Sequence, residues 1–169
     1  MGGYMATAKT VEWATPQWRV DEWVEELGKP FTFDPCATPE NAKAAEFLTE
    51  DDDGLKSPWW GRVWLNPPYG SGLKDWMVKA NEELNSGRVE IIVALLPART
   101  DTKWFHESVV ERGHEVRFIK GRVRYGEGVS PAPFPSIYVV MRPKCEVSDC
   151  PTQGRVYRGM CEGCRRSSA

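Results

Sequence analysis

Residues 89–96 run Val89, Glu90, Ile91, Ile92, Val93, Ala94, Leu95, Leu96, with one polar side chain among eight. Strict alternation, the mark of a strand with one wet face, is absent, and the length suits a strand. A segment of this kind needs cover on both faces, the position of a central parallel strand in a layered α/β domain. Whatever else the chain forms must supply neighbouring strands on either side and helices above and below.

The rest of the sequence provides them. Thr15-Pro16 places a capping residue before a proline at a first helical position. Val20, Trp23, Val24 and Leu27 then recur at helical spacing until Gly28 and Pro30 stop the element. Residues 31–33 read as a strand running into Asp34-Pro35-Cys36, residues 41–47 as a short helical stretch, and Asp51-Asp52-Asp53-Gly54 as an acidic turn. Residues 62–65 are the next strand. After a turn at residues 70–72, Leu73, Trp76, Met77, Ala80 and Leu84 form one stripe of a helix. Residues 102–112 read as a helix with Phe105, Ser108 and Val109 inward, and residues 116–119 and 137–141 as strands. Strands alternating with helices predict an α/β sheet with crossover connections and helices on both faces. Ligands of such sheets sit beyond the carboxyl ends of the strands. Asp34, Asn66 and Pro97 each follow a strand, so they can share one rim.

Size and composition fit one compact domain with a small attachment: 169 residues, 41% hydrophobic, eight tryptophans. No apolar run approaches the ~18 residues that span a bilayer, and residues 1–9 lack the apolar centre of a signal peptide. The expectation is a soluble, cytoplasmic protein. A net charge of −2 argues against a general polycation that coats DNA. Its distribution is uneven: residues 1–60 hold five basic and twelve acidic groups, whereas residues 97–125 and 142–169 each carry a net +3. That asymmetry can orient a protein on a phosphate backbone.

The chemistry concentrates at Asn66-Pro67-Pro68-Tyr69. Two consecutive prolines cannot continue a ladder, so the chain leaves the strand in a stiff turn that presents an amide, a rigid carbonyl and an aromatic ring together. An exocyclic base amine needs two acceptors, and an extruded base needs a stacking surface. A plain proline-rich strand exit is the competing reading of these four residues alone.

Several strings carry a resemblance. They are Trp13-x-Thr15-Pro16, Phe33-Asp34-Pro35-Cys36-Ala37, Asn41-Ala42-Lys43, Asp52-Asp53-Gly54-Leu55 and Asn66-Pro67-Pro68-Tyr69-Gly70. Further along come the stretch from Leu95 through Pro97, Arg99 and Asp101 to Trp104-Phe105-His106, then Gly121-Arg122 and Ala132-Pro133-Phe134-Pro135-Ser136. In this order, over residues 13–140, they resemble the small phage-type (Dam-like) DNA N6-adenine methyltransferases. The resemblance implies a Rossmann-like methyltransferase sheet, S-adenosylmethionine (SAM) as cofactor, methyl transfer to adenine N6 in DNA, and a bacterial or phage-infected host cell. It implies Asn66, Pro67, Pro68 and Tyr69 as the catalytic segment. The Asn66 side-chain oxygen and the Pro67 carbonyl would accept the amine hydrogens, so that nitrogen can turn its lone pair on the methyl group, and Tyr69 would stack on the base.

For the cofactor, the usual Gly-x-Gly-x-x-Gly loop is absent. Asp34, closing a strand, is the candidate for a ribose hydroxyl or the methionine amine, and Asp53 resembles the acid that meets the cofactor adenine. Turn formation is the competing role for both, and the preferred one for Asp51 and Asp52. Thr15 and Pro16 are candidates to close over the methionine end, and Asn66 is counted in the cofactor site as well as the catalytic segment. Cys36 joins the cofactor site as a small buried member of the Asp34 turn rather than a nucleophile. Arg99, Arg122 and Arg124 follow strands and suit phosphate clamping. His106 and His114 read as surface or helix residues.

From Arg142 onward hydrophobic periodicity stops, and Cys145-x4-Cys150 and Cys161-x2-Cys164 hold four of the five cysteines. This predicts a methyltransferase domain over residues 1–142 and a four-cysteine appendage over residues 143–169 that binds structural Zn2+ through Cys145, Cys150, Cys161 and Cys164. Iron–sulfur ligation and two disulfides are the rivals. Arg155 and Arg158 would let the appendage touch DNA, and a homodimer is a further expectation. RNA adenine or protein glutamine are alternative amino substrates, and a non-catalytic zinc-containing nucleic-acid-binding module is the alternative outside enzymes.

Overall fold

The computed structural model describes residues 14–126 and 131–144, together with two short strands, Val156–Tyr157 and Met160–Cys161. Helix α1 spans Gln17–Leu27 and closes at Gly28, whose left-handed φ of 68° lets its N–H reach the Glu25 carbonyl at little cost for glycine. Its start differs from the sequence expectation. Pro16 occupies the N-cap position and no side chain caps the first turn, so the Thr15 hydroxyl takes no part in the helix.

Six strands follow: β1 (Phe33–Asp34), β2 (Glu46–Phe47), β3 (Gly61–Leu65), β4 (Val89–Pro97), β5 (Glu115–Phe118) and β6 (Ser136–Met141). They form one sheet in the order β2-β1-β3-β4-β6-β5. Strands β1 to β4 are parallel, while β6 runs antiparallel to both β4 and β5. The sheet is therefore mixed, a point that hydrophobic patterning does not encode. Helix α2 (Leu73–Asn85) joins β3 to β4. Helix α3 (Lys103–Phe105) continues into a π-helical turn, His106–Val110, before β5.

Strand β4 divides the core. Ile92, Ala94 and Leu96 pack with Leu73 and Met77 of α2 and with Phe105 and Val109. Ile91, Val93 and Leu95 pack with Val20 and Trp23 of α1 and with Tyr125 and Tyr138. Helices thus cover both faces, as a strand apolar on both sides demands.

The stretch predicted as a helix over residues 41–47 is not one. Asn41 and Ala42 donate their N–H groups to the Thr38 carbonyl and Lys43 donates to the Asp34 carboxylate, after which Glu46 and Phe47 extend to pair with β1. Helix-favouring composition is overridden by tertiary pairing. The connections β1–β2 and β2–β3 contain no helix among the described residues.

At the amino-terminal edge of β3 and β4, Glu83 is buried and bonded to Lys79 at 2.6 Å, Arg88 at 2.7 Å and the Trp59 N–H at 3.2 Å. Strands β7 (Val156–Tyr157) and β8 (Met160–Cys161) pair antiparallel as a separate ribbon. Cys145, Cys150, Cys164, Arg155 and Arg158 lie outside the described residues, and of Cys161 only its place in β8 is described. Among the described residues no cluster of three or more His, Cys, Asp or Glu could hold a metal ion, so the zinc assignment rests on cysteine spacing alone. No helix among them is long and apolar enough to cross a membrane.

Candidate active site

Because β1, β3 and β4 are parallel, Asp34, Asn66 and Pro97 come to one edge of the sheet. Direct contacts tie that edge together. Asp34 ends β1 fully within the protein, its Oδ1 accepting the Cys36 N–H at 3.3 Å and its Oδ2 the Lys43 N–H at 3.1 Å. Both bonds organise the loop, so the turn-forming role is present. Burial nevertheless pushes the carboxyl up to about 6, against the pull of those two N–H groups and the Lys43 ammonium. Its charge is under-compensated by the residues around it.

Cys36 links this loop to the Asn66 segment. Its thiol donates to the Asn66 backbone carbonyl at 3.2 Å, and burial, with Asp34 nearby, drives the thiol far above its usual range. It is a protonated donor, the opposite of an activated nucleophile. Asp53 and Gly54 stand against the same loop: a Cβ on Gly54 would collide with the Pro35 carbonyl and come within 2.8 Å of the Trp76 ring. The Asp53 carboxylate itself is partly exposed and paired with Lys56 at 2.6 Å, which holds it below the usual carboxylate range. Asp52 accepts the Thr49 N–H and hydroxyl, a turn role as expected.

Tyr69 is turned inward. Its hydroxyl lies 2.8 Å from Asn66 Oδ1, 3.0 Å from the Leu95 carbonyl and 3.0 Å from the Tyr125 hydroxyl, which is 3.3 Å from Ser136 Oγ. The ring meets Phe134 edge-on at 5.4 Å and Tyr125 at 6.3 Å. Burial holds both phenols above their ordinary range. Sequence reasoning gave Tyr69 a ring but no use for its hydroxyl, and it missed Tyr125. The one signal within reach was the resemblance-bearing string that ends at Ser136.

The start of α1 closes the rim. Lys43 Nζ reaches Gln17 Oε1 at 3.4 Å, and the Gly126 N–H donates to the Ala14 carbonyl at 2.8 Å. Between those two ties Thr15 is buried, and its Oγ1 has no hydrogen-bond partner. An orphaned hydroxyl and an under-compensated carboxylate at one sheet edge suit a polar ligand bearing hydroxyl and amino groups. Arg99, Arg122 and Arg124 are exposed on the segments that follow β4 and β5, two strands that end at the same edge of the sheet. His106 bonds the Thr100 carbonyl, and His114 bonds Asn81 with burial lowering it to about 4; neither touches Asn66 or Asp34.

The fold is that of a methyltransferase-like α/β sheet. It is similar to the crystal structure of a candidate RNA methyltransferase from Pyrococcus horikoshii, with a TM-score of 0.52 at 13% identity over 83% of this chain and 90% of that one. In sequence the chain is 28% identical over 138 residues to the DNA N-6-adenine-methyltransferase of Haemophilus phage HP1, covering 78% of this chain and 79% of that protein. The model of the DNA N-6-adenine-methyltransferase (Dam) family matches residues 5–149, and the chain belongs to that family. Its activity is transfer of a methyl group from SAM to N6 of adenine in DNA.

Proposed function

We propose that Asn66 Oδ1 and the Pro67 carbonyl are the two acceptors that bind the adenine amine, with the Tyr69 ring closing over the base. The observation that carries this reading is the position of Asn66: it directly follows β3 at the carboxyl edge, with its side-chain oxygen accepting an O–H and its backbone carbonyl bonded to Cys36 of the Asp34 loop. Acceptors fixed in advance favour the more tetrahedral nitrogen of the transition state without reorganising at the moment of reaction. The amine is already neutral, so no strong base is required before transfer. When bound, SAM supplies an electrophilic methyl group. Asp34 would take its hydroxyl or amino donors, Thr15 would give or receive a bond through its orphaned hydroxyl, and Asp53, beside the Asp34 loop, would meet its adenine. Cys36 keeps the two loops in register.

The test separates binding from chemistry. Asn66→Ala should leave SAM affinity by calorimetry intact while lowering the methylation rate by about 10² or more, whereas Asp34→Ala should weaken SAM binding. An Asn66→Ala enzyme that methylates at the original rate ends the acceptor role.

Residues 143–169 we read as a zinc-stabilised appendage that contacts the DNA backbone through Arg155 and Arg158, beside Arg99, Arg122 and Arg124 of the main domain. Cys145, Cys150, Cys161 and Cys164 have the spacing of a tetrathiolate site. Elemental analysis of the full chain should give one zinc per molecule, released by Cys161→Ser with cofactor affinity unchanged and DNA affinity reduced. Two disulfides by intact mass, with no metal, would overturn the assignment.

A further inference from the structure

The contacts around Tyr69 determine which hydroxyl donates to which. Asn66 Oδ1 and the Leu95 carbonyl can only accept, so the single Tyr69 proton points toward them, at 2.8 Å and 3.0 Å. The Tyr69 oxygen must then receive from Tyr125 at 3.0 Å, and Tyr125, its own proton committed, receives from Ser136 at 3.3 Å. The order runs from Ser136 to Tyr125 to Tyr69 to Asn66. Bonds in such a series polarise one another, and inside a protein they resist rearrangement.

The far end of this series is the group that meets substrate. An amide has two ends of nearly equal size, and presenting Nδ2 to an amine would set donor against donor. A phenol proton given to the amide, with the Leu95 carbonyl as its other acceptor, favours the oxygen at that end. Oδ1 carries two lone pairs, so a phenol proton and an amine hydrogen are compatible at the same atom.

We propose that Tyr125 is a positioning residue for methyl transfer: backed by Ser136, it holds the Tyr69 hydroxyl on Asn66 and so fixes the oxygen end of the Asn66 amide toward the substrate amine. This rests on the reading of Asn66 as the amine acceptor. It gives Tyr69 two separable parts, a ring that closes the site and a hydroxyl that orients the amide.

The experiment uses the full chain and compares Tyr69→Phe, Tyr125→Phe, their double variant, Ser136→Ala and Asn66→Ala. For each, kcat and KM for an adenine-containing duplex, SAM affinity by calorimetry and the melting temperature are measured. Either phenylalanine variant should lower kcat about tenfold, the kinetic equivalent of one ordinary hydrogen bond, with KM and SAM affinity within twofold of wild type. The double variant should be no slower than the slower single one, because both break the same series. A role confined to packing would instead lower the melting temperature and leave kcat per folded molecule unchanged. Wild-type kcat in Tyr125→Phe, or multiplied losses in the double variant, overturns the proposal. If Tyr125→Phe does not fold, Ser136→Ala interrupts the series from its other end and must lower kcat in the same direction; unchanged kcat there overturns it. Asn66→Ala separates the levels. Full activity in that variant removes the underlying acceptor reading, whereas an inactive Asn66→Ala beside fully active phenylalanine variants removes the hydroxyl series alone.

Discussion

Gly54 offers a test of how tightly the cofactor loop and the amine-binding segment are coupled. Its alanine variant adds one methyl group whose carbon would overlap the Pro35 carbonyl and sit 2.8 Å from the Trp76 ring. Nonbonded heavy atoms are comfortable at about 3.5–4.0 Å, and the added carbon overlaps the Pro35 oxygen, so the backbone at Pro35 has to retreat by roughly 1.4 Å. Trp76 cannot absorb the change cheaply, because its ring is stacked on the fully buried Trp59. Overpacking of this kind costs about 1–3 kcal/mol, or a fall in melting temperature of about 2–12 °C for a domain of this size. The loop that moves carries Cys36, whose thiol holds the Asn66 backbone, and a displacement of ~1 Å in a catalytic constellation costs about 10² in rate. Gly87→Ala is the matched control. Gly87 has φ +77° and nothing within 4 Å of a built Cβ, so alanine there costs about 1–2 kcal/mol of backbone strain far from the rim. Calorimetric melts and methylation kinetics at 20 °C below either melting point should show both variants destabilised and only Gly54→Ala slow. Wild-type turnover in Gly54→Ala, or equal loss in Gly87→Ala, would refute the coupling.

Asp34 gives a pH signature. Its folded value of about 6 lies above the ordinary 3.8, so the folded protein holds the proton more tightly than the unfolded chain. The cofactor-free protein is penalised by about 3 kcal/mol above pH 6, and the penalty fades as pH falls from about 6 to about 4. Measured against Asp34→Asn, wild-type stability by denaturant titration should therefore rise relative to the variant as pH falls through that window and run parallel to it above. A constant difference from pH 4 to 7 contradicts this. Glu83→Ala leaves the Lys79 ammonium, with only 13% of its side chain exposed, without its carboxylate and strips an acceptor from the Trp59 N–H. A loss of about 3 kcal/mol, seen as a fall in melting temperature of about 6–12 °C, should come with unchanged methylation per folded molecule, since Glu83 sits at the opposite edge of the sheet from Asn66.

What could be read from the sequence follows from the range of each signal. Strand β4, helix α1 and helix α2 announce themselves through local periodicity, and β3 through the proline pair that ends it. Asp34 and Asn66 could be placed on one rim because a parallel sheet aligns strand ends whatever the connections between them. Strand β2 was hidden, since Ala42, Lys43, Ala44 and Ala45 favour a helix locally and only the Asp34 carboxylate and β1 draw them out of it. The hydroxyl series was out of reach for a different reason. Tyr69 and Tyr125 are 56 residues apart, and Tyr125 lies in the connection between β5 and β6, whose place in the sheet no window of sequence reports. The bond from the Cys36 thiol to the Asn66 carbonyl needs the register of β1 against β3.

The placement of β6 between β4 and β5 also bears on how the protein is made. Strand β5 leaves the ribosome before its sheet partner exists, and β4 waits for residues 136–141 to cover a side on which Ile92 to Pro97 are all paired in the finished sheet. Until then the nascent chain carries an open, almost wholly apolar strand edge, the kind of surface that recruits other chains. A message truncated anywhere before Ser136 would therefore yield not a smaller enzyme but a sticky fragment, and the last strand of the six-stranded sheet to be synthesised is the one that makes the rest safe to release.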